Sequence, residues 1–289
     1  MRFRSTAALA VTLTLALSAC SGSDASQDVS SVAEATPSPS VAPEPSADAV
    51  QYVALGDSYA AAPGVPPTDQ AGGCFRSGSN YASVLAESAD LFLTDVTCSG
   101  ATSDDVVSEQ VAALSPQTDL VTIGIGGNDS GLFSTILRSC LSFGDDGLSG
   151  APCTEALTEQ LDAMGSDIGA SIGSALDAVT EAAPNAEVYV VGYPALLPES
   201  GTCPDLAPFA ADDYPLLVNI IRGLSDALES AAAERELSFI DVYAASAGHD
   251  VCSDDPWVNG ASMASDGTIP FHPFAQEQAA VADLLAAML

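Results

Sequence analysis

The chain has no lysine. That absence excludes a Walker A phosphate loop, a Schiff-base or pyridoxal enzyme, and a hydrolase whose serine is paired with lysine. Histidine is scarce too: His249 and His272 are the only two in 289 residues, so an imidazole base must be one of them. Six arginines face 39 acids, giving a formal net charge of -33. Such a surplus argues against binding nucleic acid or anionic lipid through charge. No two of the seven cysteines form a C-x-x-C pair, and with so few histidines a zinc site is not expected. Beyond the N-terminus, no apolar stretch is long enough to span a membrane.

What is present begins with an export signal over residues 1–19. Arg2 and Arg4 form a basic start, and Ala7 to Leu17 is an apolar run broken only by threonine, too short to cross a bilayer. Leu17-Ser18-Ala19-Cys20 resembles a bacterial lipobox, which implies cleavage before Cys20 and lipidation of that residue; ordinary cleavage after Ala19 is the alternative. Residues 20–49 are rich in Ser, Ala, Pro and acids and have almost no large apolar side chains. Such a stretch cannot bury enough surface to offset its ordering entropy and reads as a flexible tether. Residues 50–289 suffice for one domain.

Within that domain, strand and helix patterns alternate. Tyr52–Leu55, Leu91–Val96, Leu120–Ile125, Glu187–Val191 and Leu237–Val242 read as strands. Tyr81–Ala89, a stretch from Ser103, Thr154–Ala183, Ala211–Glu236 and Phe274–Leu289 read as helices, with Pro273 at the N1 position of the last. The alternation predicts an α/β fold with a parallel sheet covered on both faces, whose ligands bind at the C-terminal ends of the strands.

Four short blocks carry the chemistry. Gly56-Asp57-Ser58-Tyr59 follows the first strand and offers Ser58 as a nucleophile, provided a base takes its proton. Gly100, in Cys98-Ser99-Gly100-Ala101-Thr102, can bring a backbone N–H close to a substrate. Asn128, in Gly126-Gly127-Asn128-Asp129, can donate its side-chain amide to an oxyanion. His272, before Pro273, is the candidate base; His249, beside Cys252, reads as structural. Each block alone also fits an ordinary turn. A fifth match, G-x-S-x-G around Ser171, lies in a helical pattern rather than after a strand, so Ser171 is set aside. A carboxylate-pair glycosidase is set aside as well, because 39 acids make some close pair inevitable.

Taken together, the four blocks resemble the SGNH, or GDSL, hydrolase superfamily over roughly residues 50 to 289, and more narrowly its secreted actinobacterial lipase/esterase branch. Tyr52 to Tyr59, Cys74-Phe75-Arg76-Ser77, Gly192-Tyr193-Pro194 and Gly248-His249-Asp250-Val251-Cys252 carry the narrower likeness. The resemblance implies a three-layer α/β/α sandwich with a flavodoxin-like parallel sheet. It implies Ser58 and His272 as catalytic residues, and an oxyanion hole from Ser58, Gly100 and Asn128. It also implies disulfides Cys74–Cys98, Cys140–Cys153 and Cys203–Cys252, one of the fifteen pairings six cysteines allow. The chain departs from the pattern at one point. Ile269 stands where the superfamily places an acid, and Asp266 lies six residues before His272. Either Asp266 reaches the imidazole through a longer loop, or a backbone carbonyl near Ile269 orients the ring in a Ser–His dyad.

The resulting expectation is a serine ester hydrolase, exported and either held at the outer face of the membrane only by its lipid anchor or secreted. It needs no metal or organic cofactor, binds no nucleic acid, acts on a small-molecule or lipid ester, and is a monomer. Transfer of the acyl group to a glycan or alcohol, and an inactive binding lipoprotein on the same fold, are the alternatives. Arg76 is the one cation near the first block, free to meet an anionic group of a substrate or paired within the protein.

Overall fold

The computed structural model describes residues 49–70, 72–145 and 150–289. The expected signal peptide, Cys20 and the tether as far as residue 48 lie outside the described residues.

In chain order, β1 (Gln51–Gly56) leads into the short α1 (Ser58–Ala61). A small antiparallel pair, β2 (Thr68–Asp69) and β3 (Arg76–Ser77), precedes α2 (Tyr81–Ala89) and β4 (Phe92–Asp95). Next come α3 (Ser103–Ser108), β5 (Leu120–Gly124), α4 (Leu132–Asp145), α5 (Pro152–Ala182) and β6 (Glu187–Val191). α6 (Tyr214–Ala233), β7 (Ser238–Ile240), α7 (Val242–Ala245) and α8 (Ala275–Ala286) complete the domain.

Five strands form one sheet in the order β4-β1-β5-β6-β7, and every neighbouring pair is parallel. Side-chain alternation splits the core in two. Val53 and Leu55 of β1 face a large cluster with α3, α5 and α6, through residues such as Val106, Ile172, Leu176, Leu217 and Leu228. Tyr52 and Ala54 face the opposite way, onto Tyr81 and Leu85 of α2 and Val281 and Leu285 of α8. This is the three-layer α/β/α sandwich, with β5 buried along its whole length at the centre. The chain enters the sheet at β1, steps out to β4 and crosses back to β5. The order reverses between β1 and β5, and in open α/β sheets the crevice above such a reversal is where ligands bind.

Local sequence explains the ends of the key helices. Asn80 caps α2 by accepting from the Ser83 N–H. Thr102 and Asp105 form a capping box at α3. Of three disulfides, Cys74–Cys98 and Cys203–Cys252 join loops, and Cys140–Cys153 joins α4 to the start of α5. Among the described residues, no helix is long and apolar enough to cross a membrane.

Several local expectations are corrected. α4 occupies a stretch where no element was expected. The last strand is shorter than Leu237–Val242, because Val242 begins α7 behind an Asp241 cap. Pro273 is not at N1: Phe274 is the N-cap and α8 begins at Ala275, while Pro273 bridges to Val258. The stretch from Ser103 stops at Ser108 and continues as a 3-10 turn over Gln110–Ala113.

Candidate active site

The nucleophile block is built by close approach of two strands. Gly56 has φ +138, and a Cβ there would sit 2.4 Å from the Gly124 carbonyl oxygen, so only glycine fits. The Gln110 side chain pairs with Gly56 as a neighbouring strand would, accepting its N–H at 2.8 Å and donating to its carbonyl at 3.0 Å. Asp57 then caps α1, accepting the Tyr59 N–H at 2.9 Å. Ser58 becomes the first residue of that helix, buried at 4% exposure. Its own N–H has no partner among the described residues.

A buried chain of hydrogen bonds links this block to the loop after β5. The Tyr193 hydroxyl donates to the Asp57 carboxylate at 2.5 Å and accepts the Gly127 N–H at 2.9 Å. Burial pushes the Asp57 carboxyl up to about 7, against the opposing pull of the Tyr193 and Tyr59 donors. Next along the loop, Asp129 accepts both the N–H and the hydroxyl of Ser103, at 2.7 and 2.6 Å. Asn128 between them donates its side-chain N–H to the Ala101 carbonyl at 3.0 Å, which seats it against the Gly100 turn. An amide nitrogen carries two N–H groups, so one remains for a substrate oxygen. A Cβ on Gly127 would stand 2.2 Å from the Phe133 ring, so a side chain there would displace that ring.

His272 arrives from the loop before α8. Its Nδ1 lies 2.8 Å from the Pro270 carbonyl oxygen. A carbonyl only accepts, so Nδ1 carries the proton and the neutral ring presents Nε2 as a base. Burial holds the imidazole below its ordinary 6.5, partly offset by the Pro270 bond. Tyr59 braces this loop twice. Its ring stacks on His272 with centroids 5.5 Å apart, and its hydroxyl donates to the Phe271 carbonyl at 2.6 Å. Phe271 itself is held at φ +56, a left-handed conformation costing about 1–2 kcal/mol.

Ser58, Asn128 and His272 line one cavity of about 220 Å³. The rest of its wall is largely apolar, with Phe133, Leu137, Leu197, Phe209, Leu217 and Ile221 among the contributors. Gly100, φ +87, does not line this cavity but a separate pocket, and its N–H has no partner among the described residues.

Other singled-out residues fall elsewhere. Asp266 is exposed and accepts the Thr268 N–H at 3.0 Å, while the Nδ1 of His272 meets the Pro270 carbonyl instead. The carbonyl that orients His272 is that of Pro270, one residue beyond Ile269. Arg76 donates twice to the Thr97 carbonyl and pairs with Asp95 at 3.2 Å. His249 stacks on Trp257 and bonds the Asp255 carbonyl at 2.8 Å. Ser171 sits within α5. Among the described residues, no group of three or more His, Cys, Asp or Glu could hold a metal ion.

Tyr59, Tyr193 and Pro270 contact the site residues without having been singled out as site residues. Tyr59 and Tyr193 stand inside blocks that the sequence marks. Pro270 carries no local signal, because its partner is set by the path of the loop.

A model of the GDSL-like lipase/acylhydrolase family matches residues 54–279. Lipase 2 of Streptomyces coelicolor is 36% identical over 250 residues, covering 80% of this chain and 83% of the relative. Two crystal structures, phospholipase A1 from Streptomyces albidoflavus NA297 and an extracellular lipase from Streptomyces rimosus, give TM-scores of 0.74 and 0.73. Each is 29% identical and covers 83% of this chain and 100% of its own. With a matching family model over most of the domain and the same layered sheet, the chain belongs to the GDSL-like lipase/acylhydrolase family, in its actinobacterial lipase/esterase branch, and is a carboxylic ester hydrolase.

Proposed function

We propose that the protein is an exported, lipid-anchored serine esterase or lipase working through an acyl-enzyme on Ser58. The observation that carries this reading is the shared cavity, where a buried serine, an imidazole with a free Nε2 and a side-chain amide face one apolar space. The extracellular relative from Streptomyces rimosus supports export. The anchor rests on Cys20 alone.

Ser58 Oγ attacks the ester carbonyl carbon as its proton passes to His272 Nε2. The Pro270 carbonyl holds Nδ1–H throughout, fixing tautomer and orientation. A neutral carbonyl stabilises imidazolium less than a carboxylate would. The oxyanion is held by the N–H of Ser58, the N–H of Gly100 and the remaining side-chain N–H of Asn128. Collapse expels the alcohol, which takes the proton from His272, and leaves the acyl group on Ser58. Water then gives a proton to His272 and attacks the acyl carbon. The second intermediate releases the acid and returns the proton to Ser58.

The cavity wall reads as the acyl site. Burying each methylene of a substrate there is worth about 0.8 kcal/mol, so specificity rises with chain length until the space is filled. The test is hydrolysis of p-nitrophenyl esters from acetate to palmitate by the full chain and by Ser58→Ala and His272→Ala. Both variants are expected to be inactive while remaining folded. Wild-type turnover in either overturns the assignment. Acyl transfer shows as an ester product when an alcohol acceptor is supplied. An inactive binding protein shows no turnover and no labelling by an organophosphate.

A further inference from the structure

A carboxylate that orients a catalytic histidine reaches the ring on its own flexible side chain. A backbone carbonyl has no such freedom and has to be aimed by whatever holds the chain on either side of it. In this protein that chain is Pro270, whose ring fixes φ and removes the N–H through which a neighbour could steer it. The segments before and after Pro270 must therefore be gripped from outside.

One buried residue does this, its side chain gripping before Pro270 and its backbone N–H after it. Asn259 is 8% exposed and spends its side-chain nitrogen on three carbonyls: Ser262 at 2.8 Å, Thr268 at 3.0 Å and Ile269 at 3.2 Å. Two N–H groups serve three acceptors, so at least one bond is shared. Its backbone N–H donates to the His272 carbonyl at 2.9 Å. Asn259 thus holds the carbonyls of the residues at positions −1 and +2 relative to Pro270. The Ile269 carbonyl also accepts the His272 N–H at 3.3 Å, which closes the turn. The rest of the segment is pinned in register, with Phe271 N–H donating to Gly260 at 3.1 Å and Phe274 N–H to Trp257 at 2.8 Å. A Cβ on Gly260 would stand 2.6 Å from the Leu206 carbonyl oxygen, so this strip is itself fixed against the next loop.

We propose that Asn259 is a positioning residue for the base. Its amide clamps the loop from Ser262 to Ile269 so that the Pro270 carbonyl meets Nδ1 of His272, performing through the backbone what an acid performs elsewhere by its side chain. The inference rests on His272 being the base. It identifies the residue that makes an exposed Asp266 dispensable.

The test uses the full chain with Asn259→Asp, which keeps the size and loses the donors, Asn259→Ala, and Asn259→Ser, which retains one O–H donor. Active sites are counted by stoichiometric labelling with diisopropyl fluorophosphate, and kcat and KM for p-nitrophenyl butyrate are expressed per labelled site. The Asp and Ala variants are expected to lose about 10–10²-fold in kcat per site, with KM within about twofold and the Ser variant between them and wild type. The two histidines are followed by ¹⁵N NMR: the Nδ1 signal of His272 should move in the Asp and Ala variants while that of His249 stays. Wild-type kcat per site with an unmoved His272 signal overturns the proposal, and a loss of labelled sites alone, with normal kcat in those that remain, overturns it equally. His272→Ala separates the two levels. If it retains turnover, the base assignment fails; if it is inactive while the Asn259 variants are normal, only the role of Asn259 fails.

Discussion

Replacing Tyr59 by phenylalanine removes one oxygen beside the nucleophile and leaves the stacked ring in place. The lost bond is the 2.6 Å donation to the Phe271 carbonyl, deep in the core, with Tyr59 7% and Phe271 6% exposed. Leaving a buried carbonyl unpaired costs ~1–3 kcal/mol. In a domain of this size each kcal/mol lowers Tm by roughly 2–4 °C, so the expected loss is roughly 2–12 °C. The catalytic effect has a separate origin. Phe271 sits at φ +56 and is held there by this bond and by its own N–H to Gly260. Freed on one side, it relaxes toward negative φ and carries the next residue, His272, with it. A shift of about 1 Å between base and nucleophile is worth about 10² in rate, so kcat for p-nitrophenyl butyrate should fall ~10–10²-fold. Tyr52→Phe is the matched control. It removes a buried 2.8 Å bond to Thr122 on the opposite face of the sheet, and should lower Tm without changing kcat. Thermal unfolding and steady-state kinetics of the two variants decide the matter. Equal kcat losses in both, or wild-type kcat in Tyr59→Phe, refute the reasoning.

Asn128→Ala should lower kcat by about 10²–10³-fold with a small change in KM, since the amide acts on the oxyanion; an effect on KM alone would contradict that role. Asp266→Asn should leave kcat/KM and its pH profile unchanged, with the acid limb below 6.5 because burial holds His272 low; a large loss of activity would restore the carboxylate to the site. Glu277 is buried with its carboxyl pushed up to about 8, bonded to Gln278 at 2.6 Å. The folded protein therefore holds a proton that the unfolded chain has released, and stability falls as pH rises from about 4.5 through about 8. Glu277→Gln removes that proton linkage, so denaturant unfolding should favour the variant more at pH 9 than at pH 5; a stability difference that is flat with pH would rule this out.

Strands β1 and β5 could be read from sequence because burial on both faces writes a nearly continuous apolar run, as in Leu120-Val121-Thr122-Ile123. The four blocks could be read because the first three follow strand ends and the order of all four is specific. α4 was hidden. Leu132, Phe133, Ile136, Leu137 and Cys140 have helical spacing, but Ser134, Ser139 and Ser142 dilute it, and Gly131 and Gly144 stand at its two ends. That helix lines the cavity with Phe133, Ser134, Ile136 and Leu137, so the cavity could not be foreseen. Pro273 misled for a different reason: its place is set by a bridge to Val258, fifteen positions away, which overrides its preference for a helix start. The partner of His272 was the hardest feature. Any residue contributes a carbonyl, so Pro270 carries no mark in the sequence, and Asn259 is an ordinary turn residue until its three acceptors are seen. Tyr193 reaches Asp57 across 136 positions, a contact that only the sheet order creates.

The most direct test of the central claim is to treat the full chain with a fluorophosphonate and locate the adduct by tandem mass spectrometry. One adduct per chain on Ser58, lost in Ser58→Ala and formed far more slowly in His272→Ala, is the expected result. An adduct on another serine, or labelling of Ser58 at the same rate without His272, would contradict it.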